Sequence, residues 1–270
     1  MPDLGAYFDR IAFTGSRSPT VDTLSALQLL HPAAIAFENL DPFLGREVSL
    51  DIAAVEAKLV RRRRGGYCFE HNALFHDVLA ALGFTVTALA GRFVWGMAEG
   101  AARPPLTHRF TAVNISGEQF IADVGFGGTN PTGPIRLDIG VEQSTPHGLY
   151  RVTQDDGEYQ LEHQVRGCWT PLYRFTLDRQ GPRDFELGNW FTSTHPQSRF
   201  RTDLTVAKIE GGDRIHLRNA LFTIYRGDGR ADETVIKQPE EFEELLTGRF
   251  GIDLPAAVDE IWRRLPPAPI

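Results

Sequence analysis

The strongest constraint on this chain is a change of hydrophobic period near Gly83. Before it, apolar residues recur at helical spacing. Leu4, Tyr7, Phe8 and Ile11 follow Asp3 as an N-cap. Leu24, Leu27 and Leu30 follow the start signal Pro19-Thr20 and stop at Pro32. Ile52, Val55 and Leu59 follow Ser49 as a cap. Phe75, Val78, Leu79 and Leu82 make a fourth helix, closed by Gly83. After Gly83 the pattern turns into short strands at 85–94, 108–115, 119–125, 149–153, 159–163 and 169–175, separated by turn residues. That series suits an antiparallel barrel or sandwich. From about residue 195, strands at 202–209, 214–217 and 221–226 precede helices at 239–246 and 255–265. The architecture is therefore read as α+β. A helical bundle covers 1–85, an antiparallel β-barrel-like domain 86–190, and an α/β lid 191–270.

Composition narrows the function. With 42% hydrophobic residues and 18 phenylalanines in 270, a sizeable core is available. A net charge of −7 argues against nucleic-acid binding. No apolar run reaches the roughly 18 residues of a membrane span, and the N-terminus, with Asp3 and Asp9, does not read as a signal peptide. Two distant cysteines give no disulfide framework, which suits a reducing cytoplasm. Cys168, beside Trp169 in a strand pattern, reads as packing. The one low-complexity tract is the tail Pro266-Pro267-Ala268-Pro269.

Chemistry concentrates in Arg64-Gly65-Gly66-Tyr67-Cys68-Phe69-Glu70-His71-Asn72. Cys68 falls in the first turn of the fourth helix, where free N–H groups and the dipole favour a charged sulfur. Gly65 and Gly66 read as open backbone beside it. The competing reading is a small buried hydrophobe. A zinc site lacks the four ligands it needs, because Cys168 has no CxxC partner.

A thiol nucleophile needs a base, and the base needs an orienting group. His108 opens the strand 108–115, and Asp123 interrupts the returning apolar run, where an unpaired charge is costly. Parity tests the pairing. Across an even hairpin loop, opposed residue numbers sum to an odd value. His108 and Asp123 do so, and would share a face, opposite or offset along the strand. An odd loop would separate them. His71 is a rival base, but one turn along the same helix it points poorly at the sulfur. Cys68, His108 and Asp123 thus form a candidate triad.

The cysteine run resembles the active-cysteine motif of the arylamine N-acetyltransferases. Thr107-His108 and Ala122-Asp123-Val124-Gly125-Phe126-Gly127 resemble that family's histidine and aspartate motifs. Phe37-Glu38-Asn39-Leu40 and Trp190-Phe191-Thr192-Ser193-Thr194-His195-Pro196 resemble two further segments. Ala36 departs from the proline often found there, which bears on the turn rather than the chemistry. The resemblance implies acetyl transfer from acetyl-CoA, as co-substrate and not a resident cofactor, to an arylamine, arylhydrazine or N-hydroxyarylamine. It implies a Cys-His-Asp core of the cysteine-protease kind and a role in xenobiotic metabolism. It implies donor contacts at Gly127, Gly128 and Thr129, in a loop whose N–H groups can form an anion nest. It favours Phe37 as a pocket wall over a core residue. Val94, leading into the loop 95–105, is read as lining the substrate side, with a core role equally open; Phe191, near the start of the C-terminal part, is read as closing the acceptor pocket, and Phe126 is assigned to the pocket with them. Glu38 is expected to pair with Arg64. The same triad also serves a cysteine hydrolase or amide synthase, which is the rival reading.

Overall fold

The computed structural model describes residues 1–98 and 100–267; Glu99 and the end of the proline-rich tail lie outside the described residues. Helix α1 (Leu4–Ile11) starts at Asp3, whose carboxylate accepts from Ala6 N, and buries Tyr7, Phe8 and Ile11. Helix α2 (Val21–Ala34) is capped by Thr20 and runs through Pro32 rather than stopping there. Proline forfeits one i→i−4 bond, but Ile35 N still closes on His31 O at 2.8 Å. Strand β1 (Phe37–Glu38) and the single turn α3 (Leu40–Phe43) interrupt what reads as a purely helical segment. Helix α4 (Ile52–Glu56) is capped by Asp51, not Ser49, and continues as a π turn over Ala57–Arg61. Helix α5 (Cys68–Ala81) begins at the cysteine itself, and Gly83 beyond its end has a φ of 87°.

Eight strands follow: β2 (Thr85–Phe93), β3 (Leu106–Ile115), β4 (Glu118–Ala122), β5 (Ile135–Arg136), β6 (Gln143–Thr145), β7 (Gly148–Asp155), β8 (Glu158–Val165) and β9 (Cys168–Phe175). They form one sheet in the order β5-β4-β3-β2-β9-β8-β7-β6. The sheet nearly closes into a barrel, because its two edge strands are neighbours in the chain. The Gln143 side chain accepts from Arg136 N at 2.7 Å and donates to Arg136 O at 2.8 Å, drawing those edges together. Cys168, expected to pack, is exposed at the start of β9.

Helix α6 (Pro182–Thr194), which the hydrophobic pattern does not announce, crosses back over β3. Then come α7 (Arg199–Thr202), β10 (Thr205–Glu210), β11 (Asp213–Arg218), β12 (Leu221–Tyr225), the unanticipated β13 (Ala231–Val235), α8 (Pro239–Glu244) with a π turn over Leu245–Arg249, and α9 (Val258–Trp262), shorter than its sequence pattern. The second sheet has the order β1-β10-β11-β12-β13. Phe37 pairs with Ala207 and Glu38 with Val206, so the N-terminal segment is sewn into the C-terminal sheet.

The cores are shared in the same way. Tyr7, Leu24, Leu74 and Val78 from the helices pack with Val113, Phe120 and Ala122 from the barrel sheet and with Val124 just beyond it. Leu40 and Phe43 pack with Leu204, Phe242 and Phe250. Among the described residues no helix is long and apolar enough to cross a membrane.

Candidate active site

Every residue of α5 from Cys68 to Phe75 is buried, including Glu70, His71 and Asn72. Buried polar groups must be paired, and each of these is committed to a different neighbour. Glu70 Oε2 accepts from Tyr67 N at 3.1 Å, forming the capping-box contact at the helix start. Its other oxygen meets Lys58 Nζ at 2.6 Å, and Lys58 also reaches Asp41 at 2.6 Å. Arg64 joins the same cluster. Its Nε and Nη2 donate to Glu38 Oε1 at 3.0 and 2.8 Å, and Nη2 lies 3.2 Å from Asp41. Glu38 Oε2 accepts from Leu40 N at 2.6 Å. The loop before Cys68 is thus pinned from both sides by ion pairs.

The glycines there serve packing, not open access. A Cβ on Gly65 would overlap the Ala36 carbonyl oxygen, and one on Gly66 would come within 2.7 Å of Glu70 Oε2. A third glycine completes the approach. A Cβ on Gly125 would lie 2.9 Å from Cys68 Cα and 2.8 Å from Asn72 Nδ2. Only the missing side chain lets the chain after Asp123 rest on the cysteine turn.

The β3–β4 turn is Ser116-Gly117, two residues with φ of 53° and 91°, which suits a tight hairpin. The loop is even. Paired residues such as Ile115 with Glu118 and Thr111 with Ala122 sum to an odd value, so the parity condition is met. His108 and Asp123 are diagonal neighbours, and Nε2 lies 2.7 Å from Asp123 Oδ2. That leaves Nδ1 as the nitrogen available to sulfur. Asp123 Oδ1 accepts from Gly125 N and from Asn72 Nδ2, both at 2.9 Å. Asn72 also donates to Arg109 O at 2.6 Å and accepts from Val124 N at 3.1 Å. Asn72 lay inside the cysteine motif, but nothing in its spacing announced this role. Cys68 Sγ points to Thr107 O at 3.5 Å, the carbonyl just before His108.

Burial alone would push the His108 imidazole down. The Asp123 charge and hydrogen bond, reinforced by hydrogen bonding to Cys68, outweigh it and hold the ring well above its ordinary value. Burial likewise favours neutral Asp123, but His108, the Gly125 N–H and Asn72 keep it below the usual carboxylate range. His71 is placed differently. Its Nε2 meets Ala36 O at 3.1 Å, and its Nδ1 meets His31 Nε2 at 2.8 Å. His31 Nδ1 in turn meets Tyr7 OH at 2.9 Å. Ala36 O can only accept, so His71 donates from Nε2, His31 donates to His71, and Tyr7 donates to His31. Burial lowers His71 to about 4 and His31 well below its usual value, so both rings are neutral and turned away from Cys68.

Phe37 is buried in one cluster with Cys68, Tyr67, Phe69 and Phe185. Phe126 stands edge-on to His108 with ring centroids 5.2 Å apart, and Phe93 stacks on Phe126 at 5.4 Å. Val94 is half-buried beside them, its N–H held by Leu172 O. Phe191 stacks on His195 and is not among the α6 residues buried against the site. Phe185 and Gly188 are. A Cβ on Gly188 would come within 2.8 Å of both Leu106 O and Phe69. Gly127, Gly128 and Thr129 are half-buried in a turn closed by Asn130 N on Gly127 O at 3.1 Å. Gly127 has a φ of 87°, and a Cβ placed on it would lie 3.5 Å from the Phe37 ring. Among the described residues no cluster of His, Cys, Asp and Glu has the makings of a metal site.

Comparison with known proteins bears on the family and the fold. A family profile described as N-acetyltransferase matches residues 20–258. The arylamine N-acetyltransferase of Mycolicibacterium smegmatis is 44% identical over 255 residues, covering 93% of this chain and 92% of the relative. A Salmonella typhimurium protein named arylamine N-acetyltransferase / N-hydroxyarylamine O-acetyltransferase is 40% identical, covering 92% and 88%. Among solved structures, Mycobacterium marinum arylamine N-acetyltransferase in complex with CoA superposes with a TM-score of 0.94. Its identity is 40%, with 97% of this chain and 98% of that one covered.

Proposed function

The chain belongs to the arylamine N-acetyltransferase family, and on that premise we propose that it moves an acetyl group from acetyl-CoA, through a thioester on Cys68, to the nitrogen of an arylamine, arylhydrazine or N-hydroxyarylamine. The observation that carries this reading is the order of contacts around one imidazole. Asp123 takes Nε2, which leaves Nδ1 for Cys68. His108 accepts the thiol proton at Nδ1, and buried Asp123 stabilises the imidazolium. The sulfur attacks the thioester carbonyl. Cys68 N and Phe69 N at the start of α5 donate to nothing among the described residues and are suited to the oxyanion. The tetrahedral species collapses, the C–S bond to CoA breaks, and the proton on His108 goes to the departing thiolate. The amine then attacks the acetyl-cysteine. His108 takes a proton from its nitrogen, and Cys68 leaves as thiolate.

Aromatic side chains around Cys68 support a flat acceptor. Phe37 and Phe126 fit that wall, Val94 borders it, and Phe185 is the better-placed aromatic from α6. Gly127, Gly128 and Thr129 are read as donor contacts. Two free thiols suit a reducing, cytoplasmic setting. Initial rates with both substrates varied test the scheme. Parallel double-reciprocal lines are expected. Intersecting lines, or release of free acetate at the same rate with and without amine, would favour a sequential transferase or the hydrolase instead.

A further inference from the structure

Arg214 on β11 is buried, and among the described residues its side-chain partners include no carboxylate. A buried cation without a counter-charge is costly unless something uses it. Here its donors go to neutral oxygens. Nε and Nη2 reach His147 O at 3.2 and 2.8 Å, Nη1 reaches Gly128 O at 3.2 Å, and Nη2 also reaches Tyr150 OH at 2.9 Å. The Tyr150 hydroxyl lies 2.9 Å from Thr129 O and 3.1 Å from Asn130 O. Three successive carbonyls, those of Gly128, Thr129 and Asn130, are therefore held by one arginine and one phenol. The N–H groups of Gly127, Gly128 and Thr129 donate to nothing among the described residues. The neighbouring imidazoles are disfavoured as cations: burial, with Arg214 adding to it, lowers His163 to about 4, and burial also lowers His147.

We propose that Arg214, with Tyr150, is a positioning residue that dedicates the 127–129 loop to a phosphate-bearing thioester. It pulls the loop's carbonyls inward, leaves its N–H groups for an anion, and supplies a positive field behind them. The anion brings the missing counter-charge. The loop leaves Cys68 at Gly125, so a donor anchored there by its phosphates carries its acyl end toward the sulfur. This rests on the reading of the loop as donor contacts.

The test compares acetyl-CoA with the acetyl thioester of N-acetylcysteamine, which has no phosphate, in Arg214→Met, Arg214→Lys and Tyr150→Phe. The readout is the ratio of kcat/KM for the two donors. Arg214→Met is expected to lower that ratio about tenfold or more, mainly through KM for acetyl-CoA, as loss of a charged contact implies. Arg214→Lys is expected to recover part of it. Tyr150→Phe keeps the cation but removes the hydroxyl that accepts from Arg214 and donates to the Thr129 and Asn130 carbonyls, and is expected to lower the ratio at least about threefold; it decides the question where Arg214→Met does not fold. A ratio unchanged in the folded variants, or both donors losing equally, overturns the proposal. If the native enzyme itself shows no preference for acetyl-CoA, it is the donor reading of the loop that fails, whatever the variants do.

Discussion

Asp123→Asn separates positioning from stability. Asp123 holds three partners: Gly125 N and Asn72 Nδ2 on one oxygen, His108 Nε2 on the other. The asparagine has two orientations. With its oxygen toward His108, its amide nitrogen would face two donors, losing two buried hydrogen bonds at about 1–3 kcal/mol each. With its nitrogen toward His108, those bonds survive, but His108 must accept at Nε2 and carry its proton on Nδ1. The second arrangement wins, and it presents an N–H where the sulfur needs a base. A histidine fixed in the wrong tautomer costs roughly three to four orders of magnitude in kcat. Stability changes much less. His108 sheds its charge, so no unpaired ion is left, and neutral contacts replace charged ones at a net cost of about 1–2 kcal/mol. The assay is single-turnover acylation of Cys68 by acetyl-CoA, quenched and followed by intact mass, beside a thermal melt. A folded Asn variant that acylates within about tenfold of the native rate would refute the tautomer argument.

Other perturbations probe the supports. Glu38→Gln removes the charge that takes both Arg64 donors. A loss of about 1–3 kcal/mol in urea denaturation is expected, with slower alkylation of Cys68 by iodoacetamide; an unchanged midpoint and unchanged alkylation would show that the pair does not hold the loop. Gly65→Ala drives a methyl into the Ala36 carbonyl. It should cost more than about 3 kcal/mol, and a soluble variant melting as the native chain does would contradict the close packing seen here. The buried Tyr7–His31–His71 chain sets an acid limit. His71 titrates near 4 when folded against 6.5 when free, so the folded chain binds fewer protons between those values and stability rises with pH across that window. His71 contributes up to roughly 3 kcal/mol of that slope. His108, shifted upward, acts the opposite way: its stabilisation is complete below pH 6.5 and fades as pH climbs through its raised value. Denaturation midpoints measured between pH 4 and 6.5 should fall less steeply in His71→Gln. An identical slope would mean the chain is not neutral as described.

Much of the site was legible because it rests on local rules. Two glycines, a cysteine and a helical period put Cys68 at the first position of α5. Strand alternation and an even turn put His108 beside Asp123. Long-range fit was not legible. Gly65, Gly125 and Gly188 look like loop or breaker residues, yet each permits a contact with a segment remote in sequence. Helix α6 hides because Gly188 interrupts it and its prominent apolar residues, Leu187 and Trp190, face outward. Its start signal was present: Pro182 in the first turn, and Asp184 accepting from Gly181 N at 2.8 Å. Strand β13 hides because it is an exposed edge, where charged Asp232 and Glu233 discourage further pairing. Ser49 and Asp51 both satisfy a cap pattern, and only the register of α4 distinguishes them. Arg214 gave no signal at all, since a buried unpaired arginine looks like any other arginine in a strand.

The account depends on an acetyl group resting on Cys68 between donor and acceptor. Intact-mass measurement of the native chain after mixing with acetyl-CoA, followed by peptide mapping and then addition of an arylamine, tests this most directly. One acetyl group on the Cys68 peptide, gone when the amine is added and never formed in Cys68→Ala, is the expected result. Turnover of arylamine by Cys68→Ala, or acetylation of some other residue that the amine removes, would contradict it.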